Sequence, residues 1–585
     1  MRTKTIFILL ACLLTGTSFA QSPPWDVLAA GAKPDGTTDN TAIFQRLLDE
    51  AGKAGGGVVN VPAGSFRIAG NLSIPANVTL QGTYRVPPAL KPVATAPLGG
   101  SILQAMAGRG SNEGAPFINL AGTNAAIAGF VITYPEWKQT DVPPVPYPPC
   151  VASQGTENVG ISECLLLNPY EGIRFIGAHR MLVRNVTGYP SWRGLYVTEC
   201  MDIGHIENIH FWPFGVVYDP NNSLCQWVNL NGVAYEIAHT DWLYVLNTFC
   251  FGYGVGYKFT ATDKGSANGN FVGLGADSCQ RAVVVDQAQA PGLLITNGEF
   301  VGRWSSTDSV GMEIGPAVKG KVSLVNCAFW GPLDRCVWMR GAEGQFTASA
   351  CNFVNWDIAH LDSPAIQIDA GKAIVQGSTF GEDHLHLRVG KDTTSAIITA
   401  NQAAGGFRID NQAGKRTQSA LNEADSIDWT DAARSHYRIA MGEAGSGHYL
   451  LGWHGSEVGT RWSMPSSLIV LPVIPDKAYT VRLKLMAPPQ AITAEAGLYL
   501  DGKQIATLTN SDTLTATLPA TTKDQIRLEL RSQGWVPMKL DPNSQDPRTL
   551  GMQVSSVDVR ADGASEKVFD ANKGEWVPLP TSHEN

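Results

Sequence analysis

The chain has 585 residues, 44% of them hydrophobic and only 16% charged, with a formal net charge of -9. That length exceeds one ordinary core, so several domains or a repeat architecture must absorb it. The acidic excess is spread out with no basic tract, which argues against a nucleic-acid partner, while 61 glycines and few charged residues favour an all-β protein.

In chain order, the first segment is a targeting signal. Arg2 and Lys4 form a positive start, Ile6 to Leu14 an apolar run, and Ser18-Phe19-Ala20 a small-x-small cleavage site. Residues 1–20 are therefore expected to be a signal peptide, and the protein to be exported to the periplasm or the cell exterior. Leu9-Leu10-Ala11-Cys12 has the look of a lipoprotein box, but the apolar stretch before Cys12 is short and a good cleavage site follows, which favours release. No later run approaches the roughly 20 apolar residues of a membrane span. Loss of Cys12 leaves nine of the ten cysteines. That odd number argues against a disulfide framework, and no CxxC pair or Cys/His spacing suggests a metal, so the thiols are expected as small core residues.

Next comes a helix that Thr38 or Asp39 can cap, with Ile43, Leu47, Leu48 and Ala51 on its apolar face and Gly52 and Gly55-Gly56-Gly57 ending it. Short β segments follow at Val58–Val61 and Val78–Leu80. The stretch AAGAKPDGTTDNTAIFQRLLDEA…GGGVVNVPAGSFRI resembles the N-terminal cap and first coil of the pectate lyase superfamily, which includes polygalacturonase-like, rhamnogalacturonase-like and epimerase-like proteins. The resemblance implies a right-handed parallel β-helix, a solenoid with an N-terminal capping helix, and a carbohydrate substrate.

The middle of the chain repeats. A landmark residue, a polar or glycine corner and a short apolar strand recur with landmarks at Leu166, Gly188, Phe211, Phe251, Leu274, Phe300, Phe329, Phe353 and Phe380. Their spacing is roughly 22–29 residues, with one gap of about 40 around DPNNSLCQWVNLNGVAYE that reads as a loop insertion. Strands this short bury their apolar faces only by stacking coil on coil. Cys164, Cys327 and Cys351 stand two residues before their landmarks and are expected in one interior ladder. The β-helix is placed at residues 24–415. From 425 to 585 the pattern changes to alternating strands with tight turns, such as YTVRLKLM and QIRLELRSQ, which predicts a C-terminal antiparallel β-sandwich like the accessory modules of secreted sugar-active enzymes.

The corners after the landmarks should align into a groove that mixes rings, carboxylates and guanidinium groups, the chemistry an extended sugar chain needs. They are Tyr170 and Glu171, Trp192 and Arg193, Pro213 and Phe214, Tyr253, Asp277 and Arg281, Arg303 and Trp304, Asp334 and Arg335, Trp356 and Asp357, then Glu382, Asp383 and His384. Glycoside hydrolysis needs two carboxyl groups flanking the bond, and stacked strands about 4.8 Å apart can supply them. Glu171, Asp277 and Asp334 are the candidate catalytic carboxylates, with Asp241 and Glu299 in reserve. Tyr170, Trp192, Arg193, Arg303, Trp304 and Trp356 are the candidate substrate-binding residues.

The family's polygalacturonase motifs NTD, DD, GHG and RIK do not occur, nor does the RxPxxR pattern of calcium-dependent pectate lyases, so no catalytic role transfers to a numbered residue. The sequence thus predicts a monomeric, exported glycoside hydrolase acting on a pectin-like or other uronate-containing polysaccharide without a cofactor. Two alternatives stand beside it. One is a polysaccharide lyase or uronate epimerase, for which calcium would enter and His384 or His386 could serve as base. The other is a non-catalytic glycan-binding surface protein.

Overall fold

A computed structural model describes residues 25–577 apart from 86–97, 217–221, 305, 342, 404–405, 423–428, 510–511, 542, 545 and 547. The expected signal peptide lies outside the described residues.

The helix Thr41–Lys53 buries Phe44, Leu47, Leu48 and Ala51, so Phe44 takes the place expected of Ile43, which is only partly buried. It starts two residues after Asp39, whose Oδ1 accepts hydrogen bonds from the Thr41 N–H (3.0 Å) and hydroxyl (2.6 Å). That carboxylate thus fixes the first turn, although Asn40 holds the N-cap position.

From Trp25 to Ala420 the chain forms a 36-stranded array whose ladders are parallel except for the small hairpin of Ala261–Thr262 against Gly265–Cys279. It is a right-handed parallel β-helix. Each coil feeds three sheets. Sheet 1 stacks segments such as Glu171–Ile176, Arg193–Thr198, Val233–Ile237, Val255–Phe259 and Arg281–Val285. Sheets 2 and 3 are entered in turn by one bent strand, as Leu182–Gly188 is bent at Asn185. Those bends need left-handed backbone, which asparagine tolerates, and Asn185, Asn208, Asn247, Asn297 and Asn326 all sit at φ between +51 and +55. The side chains also form a ladder, with Asn208 Nδ2 donating to Asn185 Oδ1 at 3.1 Å and Asn326 to Asn297 at 2.9 Å.

The interior consists of stacked columns. In sheet 1, Ile173, Leu195, Tyr235, Tyr257, Val283, Met312 and Val337 pair in succession. In sheet 3 the expected landmarks stack, but two of them shift. Phe211 pairs with Cys250 and Cys250 with Ala276, so the column passes through these residues instead of Phe251 and Leu274. The column then runs through Phe300, Phe329, Phe353 and Phe380, whose rings lie 4.8–5.3 Å apart. Cys164, Cys327 and Cys351 occupy the position two residues earlier, where Cys164 pairs with Val186. The nine cysteines among the described residues are all buried.

The insertion contains the helix Ser223–Asn231, capped by Asn222 Oδ1, which accepts from the Leu224 N–H at 2.9 Å. After the β-helix, His436–Trp576 build a second, 11-stranded β structure, antiparallel but for the pairing of His436–Ala440 with Phe569–Asp570. Its two strand groups meet through the short Arg461↔Val554 pairing and enclose one core that includes Leu483, Val557, Ile469 and Leu528. No helix among the described residues is long and apolar enough to cross a membrane.

Candidate functional site

The expected site residues fall into two separate places. Tyr170, Glu171, Trp192 and Arg193 lie at the edge of sheet 1. Tyr170 stacks on Trp192 with ring centroids 5.2 Å apart, and the Arg193 guanidinium covers both Trp192 (4.6 Å) and Tyr196 (4.2 Å). Glu171 is fully buried between two guanidinium groups, bonded to Arg174 and, at 2.8 Å, to Arg193. The pairing continues from Arg193 to Glu236 at 3.0 Å, from Glu236 to Lys258 at 3.7 Å and from Lys258 to Asp286 at 3.9 Å. Three cations thus neutralise three carboxylates along stacked strands. Glu171 thus has both oxygens engaged by guanidinium groups and positions Arg193.

Farther along the solenoid, the loops between sheets 3 and 1 enclose a cleft of about 680 Å³ lined by Trp304, Trp330, Trp356, Asp357, Glu382 and His384. Trp304 is 60% exposed and meets Trp330 edge to face at 6.1 Å. Behind this wall, the Trp330 Nε1–H donates to Glu299 Oε1 at 2.8 Å. Asp277 stands beside Glu299 and Trp304, half-buried, with its Oδ1 left without a hydrogen-bond partner. Burial pushes the Asp277 carboxyl above the ordinary carboxylate range, and the Glu299 charge adds to the rise, against the Trp304 side chain and the Ser278 N–H. One carboxyl biased toward the protonated form next to an exposed second carboxylate is the asymmetry that acid–base catalysis requires. Arg303, next in chain to Trp304, has its Nε buried without a partner.

The far wall of the cleft is structural. Asp334 accepts from the Ser363 hydroxyl at 2.6 Å and pairs with Arg335 at 2.9 Å. Asp357 accepts from the backbone N–H groups of Leu361 (2.8 Å), Ser363 (3.1 Å) and Asp362 (3.2 Å), which ties down the loop that follows it. Burial still pushes its carboxyl up to about 7, against the Leu361 and Ser363 donors. Trp356 is buried, with its Nε1–H donating to the Leu385 carbonyl at 3.0 Å, so it supports the cleft from below. His386 is fully buried, stacked on Phe407, with its Nδ1 accepting from the Arg408 N–H at 2.9 Å, which makes it a core residue. Asp241 is engaged elsewhere, accepting from Asn268 Nδ2 at 2.8 Å. Among the described residues no group of three or more His, Cys, Asp or Glu side chains is placed to hold a metal ion.

Trp330, Glu236, Lys258 and Tyr196 escaped the sequence reading. The signal for Trp330 was available, because it directly follows the landmark Phe329 and so must project outward. The other three occupy outward positions of sheet 1, which only the strand register reveals.

The architecture is that of the pectate-lyase-like, right-handed parallel β-helix. Residues 25–159 match the family described as rhamnogalacturonase A/epimerase, pectate lyase-like, and the pectate-lyase-like β-helix proteins include hydrolases, lyases and epimerases. Among curated relatives, the SPbeta prophage-derived uncharacterized protein YomE of Bacillus subtilis (strain 168) is 35% identical over 71 residues, covering 11% of each chain. Alginate lyase 7 of Azotobacter vinelandii is 42% identical over 65 residues, 10% of this chain and 8% of that one. The chain thus spans only 11% and 8% of the length of these relatives. The A-module of Azotobacter vinelandii mannuronan C-5 epimerase AlgE4 aligns with 68% of this chain and 100% of its own, at 13% identity and a TM-score of 0.38.

Proposed function

We propose that the protein is an exported glycoside hydrolase that cleaves a uronate-containing polysaccharide at the tryptophan-lined cleft. Asp277 is the general acid that protonates the leaving oxygen, and Glu299 is its partner carboxylate, acting as base or nucleophile. Trp304 and Trp330 stack on the sugar rings, and Arg303 meets a substrate carboxylate. The observation that carries this reading is the half-buried, raised and partly unbonded Asp277 carboxyl beside Glu299 and an exposed indole. The ion chain on sheet 1 is internally neutralised, which leaves its Arg and Lys side chains poorly suited to act as the base of an eliminating lyase.

The test is product analysis on acidic polysaccharides. Hydrolysis releases reducing ends with no near-ultraviolet absorbance, whereas elimination leaves an absorbing unsaturated uronate. Asp277→Asn and Glu299→Gln should each lower turnover by roughly 10²–10⁴-fold while retaining binding. The alkaline limb of the pH–rate profile belongs to Asp277 and should vanish in Asp277→Asn. An ultraviolet-absorbing product, or full activity in Asp277→Asn, would sink the assignment.

A further inference from the structure

On the corner between sheets 1 and 2, at coils that precede the cleft, Trp242 is 57% exposed although its backbone lies in the left-handed region at φ +53. Equivalent corners place Asn158, Arg180 and Asp202 there, at φ between +53 and +57. No other Trp, Tyr or Phe among the described residues adopts a positive φ. A bulky aromatic in this region is a true outlier, and strain of this kind persists only where the surroundings impose it.

The surroundings here are specific. The Trp242 N–H donates to Asn268 Oδ1 at 3.0 Å, and Asn268, itself buried, donates to Asp241 Oδ1 (2.8 Å) and Gln289 Oε1 (2.9 Å). Gln289 Nε2 in turn donates to the carbonyls of Thr240 (2.9 Å) and Ser266 (2.6 Å). This amide network holds the turn, while the indole Nε1–H donates to the Tyr244 hydroxyl at 3.1 Å and fixes the ring outside the fold. Tyr244 stacks on His205 of the preceding coil, with centroids 5.4 Å apart and ring planes 16° apart. Three rings therefore lie together on an open sheet face, and Glu207, 3.2 Å from His205 Nδ1, supplies a carboxylate at their edge. Three residues upstream of Trp242, His239 lines a separate hollow of about 500 Å³ together with Glu157, His179, Glu199 and Lys264, and its Nδ1 is buried without a partner.

We infer that this corner is a second, non-catalytic carbohydrate site, in which a pyranose of a polysaccharide stacks on Trp242 and Tyr244 while neighbouring hydroxyls bond in the His239 hollow. Rigid rings with hydrogen-bonding groups at their edges match the alternating apolar faces and equatorial hydroxyls of a sugar chain. A site on this corner holds a long chain without touching the cleft, so it is independent of the hydrolase assignment.

Affinity electrophoresis of the full chain through gels containing polygalacturonate, alginate, xylan or β-glucan tests this. At least one glycan should retard the protein, and Trp242→Asn, which places at this corner the residue type found at the equivalent Asn158, should weaken that retardation by about tenfold without lowering Tm. Asp277→Asn should be retarded like the wild type. The proposal is overturned if Trp242→Asn migrates as the wild type in every gel, or if Trp304→Ala alone abolishes retardation. It is equally overturned if Trp242→Asn changes only self-association. A Tyr244→Phe variant, which frees the indole but keeps both rings, should lie between wild type and Trp242→Asn.

Discussion

At the scale of single residues, what a carboxylate does is set by who shares its oxygens. Glu171 and Asp277 look alike in the sequence, since each stands at a corner beside aromatic or basic neighbours. Coil stacking brings Arg193 onto Glu171, beside Arg174 of its own strand, but leaves one oxygen of Asp277 bare. That distinction depends in part on Arg193, about one coil away in the chain, which no local pattern encodes. The corner list therefore contained Glu171 and Asp277 alike, with Glu299 held only in reserve, and could not separate an acid from an ion-pair anchor. Replacing Glu171 by Ala would leave two guanidinium groups facing each other beside a buried void. Breaking such a pair from one side costs about 3–5 kcal/mol. Thermal unfolding of Glu171→Ala should show a clear drop in Tm, and Glu171→Gln a smaller one. Polysaccharide turnover at a temperature where both variants stay folded should remain within a few-fold of wild type.

At the scale of elements, the solenoid was legible because its physics is repetitive. A landmark that must stack on the next coil recurs in the sequence, and Phe300, Phe329, Phe353 and Phe380 stack as their spacing implied. The column went astray at Phe251 and Leu274, in the strands that follow the insertion. There the aromatic residue lies one position beyond Cys250, which is the one that pairs inward with Phe211. An aromatic beside a cysteine draws the eye, but side-chain alternation decides which of the two faces the core. The cysteine ladder follows the same rule, and thiols serve there as small apolar groups. The stacked rings give this part of the fold a testable weakness. Phe353 touches Phe329 and Phe380 at 5.3 and 4.8 Å, so Phe353→Ala opens a cavity that rigid coils on both sides cannot close. A loss of about 3–5 kcal/mol is expected in chemical denaturation, whereas Phe353→Leu should lose far less. Equal stability of Phe353→Ala and wild type would mean that the column is not the core.

At the scale of the whole molecule, the C-terminal β structure is fastened to the solenoid through buried charge. Asp383, on a corner of the β-helix, pairs with Arg408 at 2.8 Å and with Arg461 of the C-terminal part at 2.6 Å, and Arg461 is fully buried. Sequence alone offered a change of pattern near this point but no sign of the joint, because its partners are 78 residues apart. Histidines gather around it. His360 lies between His384 and His454, with centroids 6.3 and 6.2 Å away. His384 faces Asp357, Asp383 and Arg408, while His454 bonds the Thr549 carbonyl near Arg548 and Asp546. Burial, helped by the cationic neighbours, lowers both His384 and His454 to about 4. An unfolded histidine binds its proton near 6.5, so these two contribute full stability above that pH and lose it as pH falls toward 4. Asp357 and Asp362 act in the opposite sense. Their carboxyls are raised to about 7 and about 6, so the folded chain holds protons that the unfolded chain releases, and stability is gained as pH falls toward 4. The two pairs offset each other, and the wild-type Tm should change little between pH 7 and pH 4.5 on their account. His454→Gln removes one acid-destabilised group and should make Tm rise relative to wild type as pH falls through this window. Asp357→Asn removes one acid-stabilised group and should make it fall. Tm–pH slopes that are identical for the wild type and both variants would show that the joint does not exchange protons on unfolding.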